Sequence, residues 1–111
     1  MKPDVETAMK KDQHPLSEKF HAILYEAGAL HDKKQNDYGH DDDPFANVRA
    51  SEDFGVDGWI GTMMRANDKM KRIQKAAKGG QLSNESLRDS LMDLLVYSGI
   101  AIVLLEENGT K

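Results

Sequence analysis

At 111 residues the chain has room for one domain and not two. A formal net charge of −4 argues against stable binding to a nucleic-acid duplex. The absence of cysteine excludes a disulfide framework, a thiolate metal site and a thiol nucleophile. The opening MKPDVETAMKKDQHP has no apolar signal-peptide segment, and the longest apolar run, near residues 94–105, is too short to span a bilayer. The expectation is a cytoplasmic protein with no membrane contact.

Residues 1–15 are polar and carry Pro3 and Pro15 without periodicity, so they read as a flexible arm preceding one helical domain at 16–108. Ser17 is a good cap for a first helix, along which Leu16, Phe20, Ile23, Leu24, Ala27 and Leu30 recur at helical spacing as far as Lys34. The following QNDYGHDDDP is turn chemistry, since Asn36, Asp37, Gly39 and Pro44 each interrupt regular structure. Asp43 and Pro44 open a short second helix through Phe45 and Val48 to Phe54, closed by Gly55. Asp57 caps a third, with Trp59, Ile60, Met63, Met70 and Ile73 on one face and Gly79–Gly80 at its end. Ser83 or Asn84 starts the fourth, running to Glu107. The fold class is therefore all-α: a small bundle of three long helices and one short one.

In the fourth helix Leu87, Leu91, Leu94, Leu95, Ala101, Ile102 and Leu105 form one broad apolar face. The other side carries Glu85, Asp89 and Asp93, then Met92, Val96, Ile100, Val103 and Leu104. A helix apolar nearly all round is covered on both sides, which predicts a homo-oligomer built through this helix. Glu85, Asp89 and Asp93 follow at i, i+4 and i+8, so three like charges stand almost in line. Either a hard divalent ion such as Mg²⁺ or a row of basic side chains must neutralise them. Ordinary alternatives are a dipole contact for Glu85 at the helix start and a structural ion pair for Asp93.

The third helix supplies such a basic row. Arg65, Asp68, Lys69 and Arg72 lie at i, i+3, i+4 and i+7 on one stripe. Arginine forks bind phosphate or carboxylate bidentately, whereas Lys71, Lys75 and Lys78 read as a solvated face. In the polar loop, Lys34, Asp37 and Asn47 are placed to meet a ligand, and Tyr38 to stack on a base or cover the core edge. His31 and His40 beside the aspartates match no standard metal spacing.

These residues together resemble a known family. Lys34 with Asp37-Tyr38-Gly39, then Asp43, Pro44 and Asn47 in DPFANVR, then Arg65, Asp68, Lys69 and Arg72, then Glu85, Asp89, Asp93 and Tyr97 look like the nucleotide modification associated domain 1 family, over residues 20–106. The resemblance implies a nucleotide-related role, common among bacteriophage proteins. More distantly the chain is similar to the MazG-like all-α nucleoside triphosphate pyrophosphatases, which hold Mg²⁺ with paired acidic motifs on two helices. Here the first helix has only Glu18 and Glu26 apart, and the fourth spaces its acids by four rather than three.

The resemblance implies a Mg²⁺-dependent hydrolysis of a nucleoside triphosphate to monophosphate and pyrophosphate. Glu85, Asp89 and Asp93, with Glu26, would hold the metal; Arg65, Lys69 and Arg72 would meet the phosphates; Tyr38 would pack on the base. The alternative is a protein that binds and sequesters a nucleotide signal without catalysis, using the same arginines and Tyr38. A purely structural helical adaptor leaves the charge rows unexplained.

Overall fold

The computed structural model describes residues 14–38, 43–82 and 85–107, without the side chains of Asp37 and Tyr38. Arm residues 1–13, Gly39, His40, Asp41, Asp42, Ser83 and Asn84 lie outside the described residues, together with the expectations that concern them. Three α-helices, Pro15–Tyr38 (α1), Gly58–Ala77 (α2) and Leu87–Glu107 (α3), and one 3-10 helix at Val48–Phe54 form an all-α bundle. No helix among the described residues is long and apolar enough to cross a membrane.

The ends of α1 differ from the sequence expectation. It starts at Pro15, whose fixed φ suits the first helical position, and the Leu16 amide donates to His14 Nδ1 at 3.1 Å. Ser17 is thus inside the helix. At the other end the backbone stays helical through Gln35, Asn36, Asp37 and Tyr38. None of these four forbids a helix; their propensities fall short of alanine by well under 1 kcal/mol each.

The turn after α1 is held by Asp43, whose Oδ1 accepts from the Phe45 amide at 2.9 Å. Arg49 then ties this turn to α3. Its Nε lies 2.7 Å from Asp43 Oδ2, and its Nη2 lies 2.7 Å from Glu107 Oε2. Gly55 closes the 3-10 helix with φ +76°, a left-handed conformation that costs glycine little.

The tightest packing is between α2 and α3, and it is made by small residues. Gly58, Thr62 and Ala66 repeat every four positions and are all buried, as are Ser90, Ala101 and Leu104 on α3. A Cβ on Gly58 would stand 3.3 Å from Leu104 Cδ1, so the missing side chain lets the helices close. Thr62 satisfies its buried hydroxyl by donating to the Gly58 carbonyl at 2.8 Å. The 3-10 helix seats on α2 at Gly61, where an added Cβ would fall 2.2 Å from Ser51 Oγ. Val48, Ile100 and Leu104 form the core centre, with Phe45, Trp59, Val96 and Tyr97 packed around it.

Two expected apolar stripes are therefore placed differently. On α2, Ile60, Met63 and Met70 are more than a third exposed, and only Trp59 and Ile73 of that stripe are half-buried. On α3 the leucine face was expected to hold the bundle, yet Leu87, Leu91 and Ile102 are exposed. Of that face only Ala101 is buried, while the opposite side buries Met92, Ile100 and Leu104 and leaves Val103 exposed. The physical reason is fit: α2 offers a shallow surface of Gly, Thr and Ala, and side chains compete for it by shape as well as by hydrophobicity. α1 is held more loosely, with Ala27 its only buried residue among those described. The radius of gyration, 16.1 Å, exceeds the roughly 13 Å of a compact chain of about 100 residues.

Candidate functional site

The fourth-helix acids do not form one row. α3 begins at Leu87, and Ser86 caps it: the Asp89 amide donates to Ser86 Oγ at 3.0 Å, and the Ser86 amide approaches Asp89 Oδ2 at 3.4 Å. This reciprocal arrangement is a capping box, which gives Asp89 a local structural task. Glu85 precedes the helix and accepts a short hydrogen bond from the buried Ser90 hydroxyl. Asp93, nearly two turns into α3, reaches Lys69 on α2 and Lys34 on α1.

Glu85 and Asp93 meet at a lysine. Lys69 Nζ lies 2.9 Å from Glu85 Oε1 and 2.9 Å from Asp93 Oδ2, and all three side chains are less than a fifth exposed. Lys34, from α1, reaches the other oxygen of Asp93 at 3.0 Å. Burial alone would push the Asp93 carboxyl up, but the hydrogen bonds and charges of Lys69 and Lys34 outweigh it and hold it below the usual range. Glu85 is also held low, first by the Ser90 hydroxyl and then by Lys69, with Arg72 adding its charge. Lys69 is raised despite desolvation, because two carboxylates favour its ammonium form. The basic stripe of α2 is thus partly an internal feature and not only a solvated face.

Glu26 stands apart from this group. Both its oxygens accept from Arg88, at 2.7 and 2.8 Å, in an exposed fork joining α1 to α3. Among the described residues no three His, Asp or Glu side chains are grouped to hold a metal ion. Glu85, Asp89, Asp93 and Glu26 do not fit Mg²⁺ as a set: the shared centre of the two nearest is taken by an ammonium, the third caps a helix and the fourth is in a fork with arginine.

Part of the expected ligand set shares one cavity. Lys34, Asn47, Arg65, Asp93 and Tyr97 line one cavity of about 340 Å³ between α1, the turn before the 3-10 helix, α2 and α3. Its apolar wall is Pro44, Phe45, Val48, Val96 and Ile100, with Tyr97 alongside. His31 enters from α1 and stacks at a tilt on Phe45, ring centres 5.3 Å apart. Gln35 and Asn47 add amide groups to the lining. Arg65 touches the Asn47 carbonyl only at 3.3 Å, and among the described residues no carboxylate pairs with it. Asp68 is exposed and lines an open groove with Met63, Met64 and Arg65, and neither Lys69 nor Arg72 lines the cavity. The side chains of Asp37 and Tyr38 lie outside the described residues.

His31, Gln35 and Phe45 line the cavity and were not singled out as ligand residues from the sequence. The available signal was spacing: His31, Lys34 and Gln35 are at i, i+3 and i+4, one helical face once α1 is carried past Lys34. Comparison with protein-family models, with curated proteins and with solved structures gives no match.

Proposed function

We propose that the protein binds a nucleotide in the cavity between α1, α2 and α3 and retains it without hydrolysis, as a sequestering protein. One observation carries this reading. Five residues selected for ligand chemistry, drawn from four segments of the chain, line a single cavity together with apolar and ring-bearing side chains. A base needs a flat apolar surface and a few polar edges, and a phosphate needs a guanidinium or ammonium. The volume lies in the lower part of the roughly 300–1,000 Å³ typical of small-molecule sites. The resemblance to the nucleotide modification associated domain 1 family supports the same ligand class.

Retention is favoured over hydrolysis because the carboxylates that hydrolysis would use are committed. Glu85 and Asp93 share Lys69, and Asp93 is also bonded to Lys34. Mass spectrometry of small molecules released when the purified protein is denatured tests the proposal; intact nucleotide at a fixed stoichiometry is expected. Incubation with Mg²⁺ and nucleoside triphosphates tests the competing activity. Pyrophosphate release that is lost in Asp93→Asn would replace sequestration with catalysis.

The proposal includes self-association through α3. Leu87, Leu91 and Ile102 expose 43%, 48% and 57% of their surface, which is apolar area a partner subunit would remove from water. Sedimentation at micromolar concentration is expected to give a mass above that of one chain, and a monomer would refute this part.

A further inference from the structure

Leu16, Phe20, Ile23, Ala27 and Leu30 follow one another at spacings of four, three, four and three, the seam of a helix that packs along another helix. Only the second half of that seam is used within the chain, where Ala27 is buried and Leu30 half-buried. Glu26 pairs with Arg88 and Lys34 with Asp93, so α1 and α3 run in the same sense and the first turns of α1 extend past Leu87, where α3 begins. There every residue from His14 to Glu26 is exposed except His21, which is half-buried. Leu16 is 68% exposed, Phe20 54%, and Ile23 and Leu24 37% each. A helical segment of about twelve residues is marginal in water unless its apolar face is packed. A solvated half-helix with an apolar seam is therefore one side of an interface.

On the reading that the protein self-associates, we infer that two copies pair antiparallel through the first three turns of α1. The size of the surface fits a second copy. Leu16, Phe20, Ile23 and Leu24, with Leu87 and Leu91 at the adjoining start of α3, expose on the order of 500 Å² of apolar surface per copy, close to the apolar share of the roughly 800 Å² per partner in a stable interface. The seam is also complementary to itself. Antiparallel pairing sets Phe20 of each copy against Ile23 of the other, and Leu16 toward the other's Ala27, beside the exposed Leu87. The same register brings Lys19 of each copy to Glu26 of the other, on the flank of the seam. The pairing bears on the cavity as well, because α1 carries His31, Lys34 and Gln35 into its lining.

Sedimentation equilibrium of the full chain, with hydrogen exchange at high and low protein concentration, tests this. A dimer is expected, and Phe20→Glu or Ile23→Glu should weaken it at least about tenfold, because each would bury a carboxylate in the seam. Both sites are exposed in the single chain, so α2 and α3 amides are expected to keep their protection in both variants. Met64→Glu, at a side chain 63% exposed on α2, is the control and should leave association unchanged. On dilution, exchange should accelerate in α1 and not in α2 or α3. The chain has no cysteine, so an equal mixture of Phe20→Cys and Ile23→Cys chains should oxidise mainly to the mixed disulfide. Symmetric disulfides would overturn the antiparallel register. A dimer that both glutamate variants leave intact and Leu91→Glu dissociates would overturn the α1 seam and leave association through α3 in place. A monomeric full chain would overturn both, and loss of α1 protection in its Phe20→Glu variant would give the seam to the chain's own residues 1–13.

Discussion

α2 and α3 are joined by close contact of small buried residues, whereas α1 is held to α3 mainly by side chains that remain in water. Across the first interface Gly58, Thr62, Ala66, Ser90, Ala101 and Leu104 are all buried. Across the second, Ala27 is buried and the named links are the Glu26–Arg88 fork and the Lys34–Asp93 pair. Buried contact is strong and insensitive to salt, while exposed ion pairs contribute little and are screened. The cavity lies where these two regimes meet. One wall, with Asp93, Tyr97 and Arg65, is fixed by the tight pair; the other, with His31, Lys34 and Gln35, rides on the looser helix.

The comparison makes ordered predictions. Leu104→Ala should have the largest effect, about 2–5 kcal/mol by urea denaturation, because a 2%-exposed core side chain is replaced by a cavity. A cost near zero would show that the α2–α3 interface is not the stable part. Gly61→Ala should cost roughly 1–3 kcal/mol through overpacking, since the new Cβ meets Ser51 and the 3-10 helix must shift. Lys69→Met should cost about 1–3 kcal/mol by leaving Glu85 and Asp93 with a lost hydrogen-bond donor in a largely desolvated site.

The same ionic group sets a pH dependence. Glu85 and Asp93 are held below their ordinary values of 4.5 and 3.8, so their stabilising contribution is complete above those values. It is lost as pH falls through the lowered folded-state values. A stability profile should therefore be flat on the acid side down to about pH 5 and fall below it, and Asp93→Asn should make the fall shallower. The smallest effect is expected where α1 meets α3: Arg88→Gln, which breaks the exposed fork with Glu26, should leave global stability almost unchanged. Native-state hydrogen exchange should show α1 amides opening at lower free energy than those of α2 and α3. Equal protection in all three helices would erase the distinction.

Much of the fold was legible in residue order, because helical periodicity and capping are local. The all-α class, three long helices and one short, and the glycine stops at Gly55 and Gly79 all follow from side chains within a few positions of each other. The short helix expected to open at Asp43 and Pro44, by contrast, starts only at Val48, after a turn in which Asp43 accepts from the Phe45 amide. The helix ends misread were those where local signals competed. Ser17, Ser83 and Asn84 are all good caps by type, but Pro15 moves the start of α1 forward and the Ser86–Asp89 box puts the start of α3 at Leu87.

The candidate site was legible as a set of residue types and not as a geometry. Sequence alone picked out Lys34, Asn47, Arg65 and Asp93 as candidate ligand or metal residues and, through the family resemblance, Tyr97, and it put a row of acids on one helix and a row of bases on another. It did not determine which acid meets which base, because Glu85, Lys69 and Asp93 are brought together only by how α2 lies on α3. Nor did it determine which apolar face of α3 is the core. Both faces are hydrophobic enough, and the choice fell to the shallow surface of Gly58, Thr62 and Ala66, a matter of shape that only the packed helices decide.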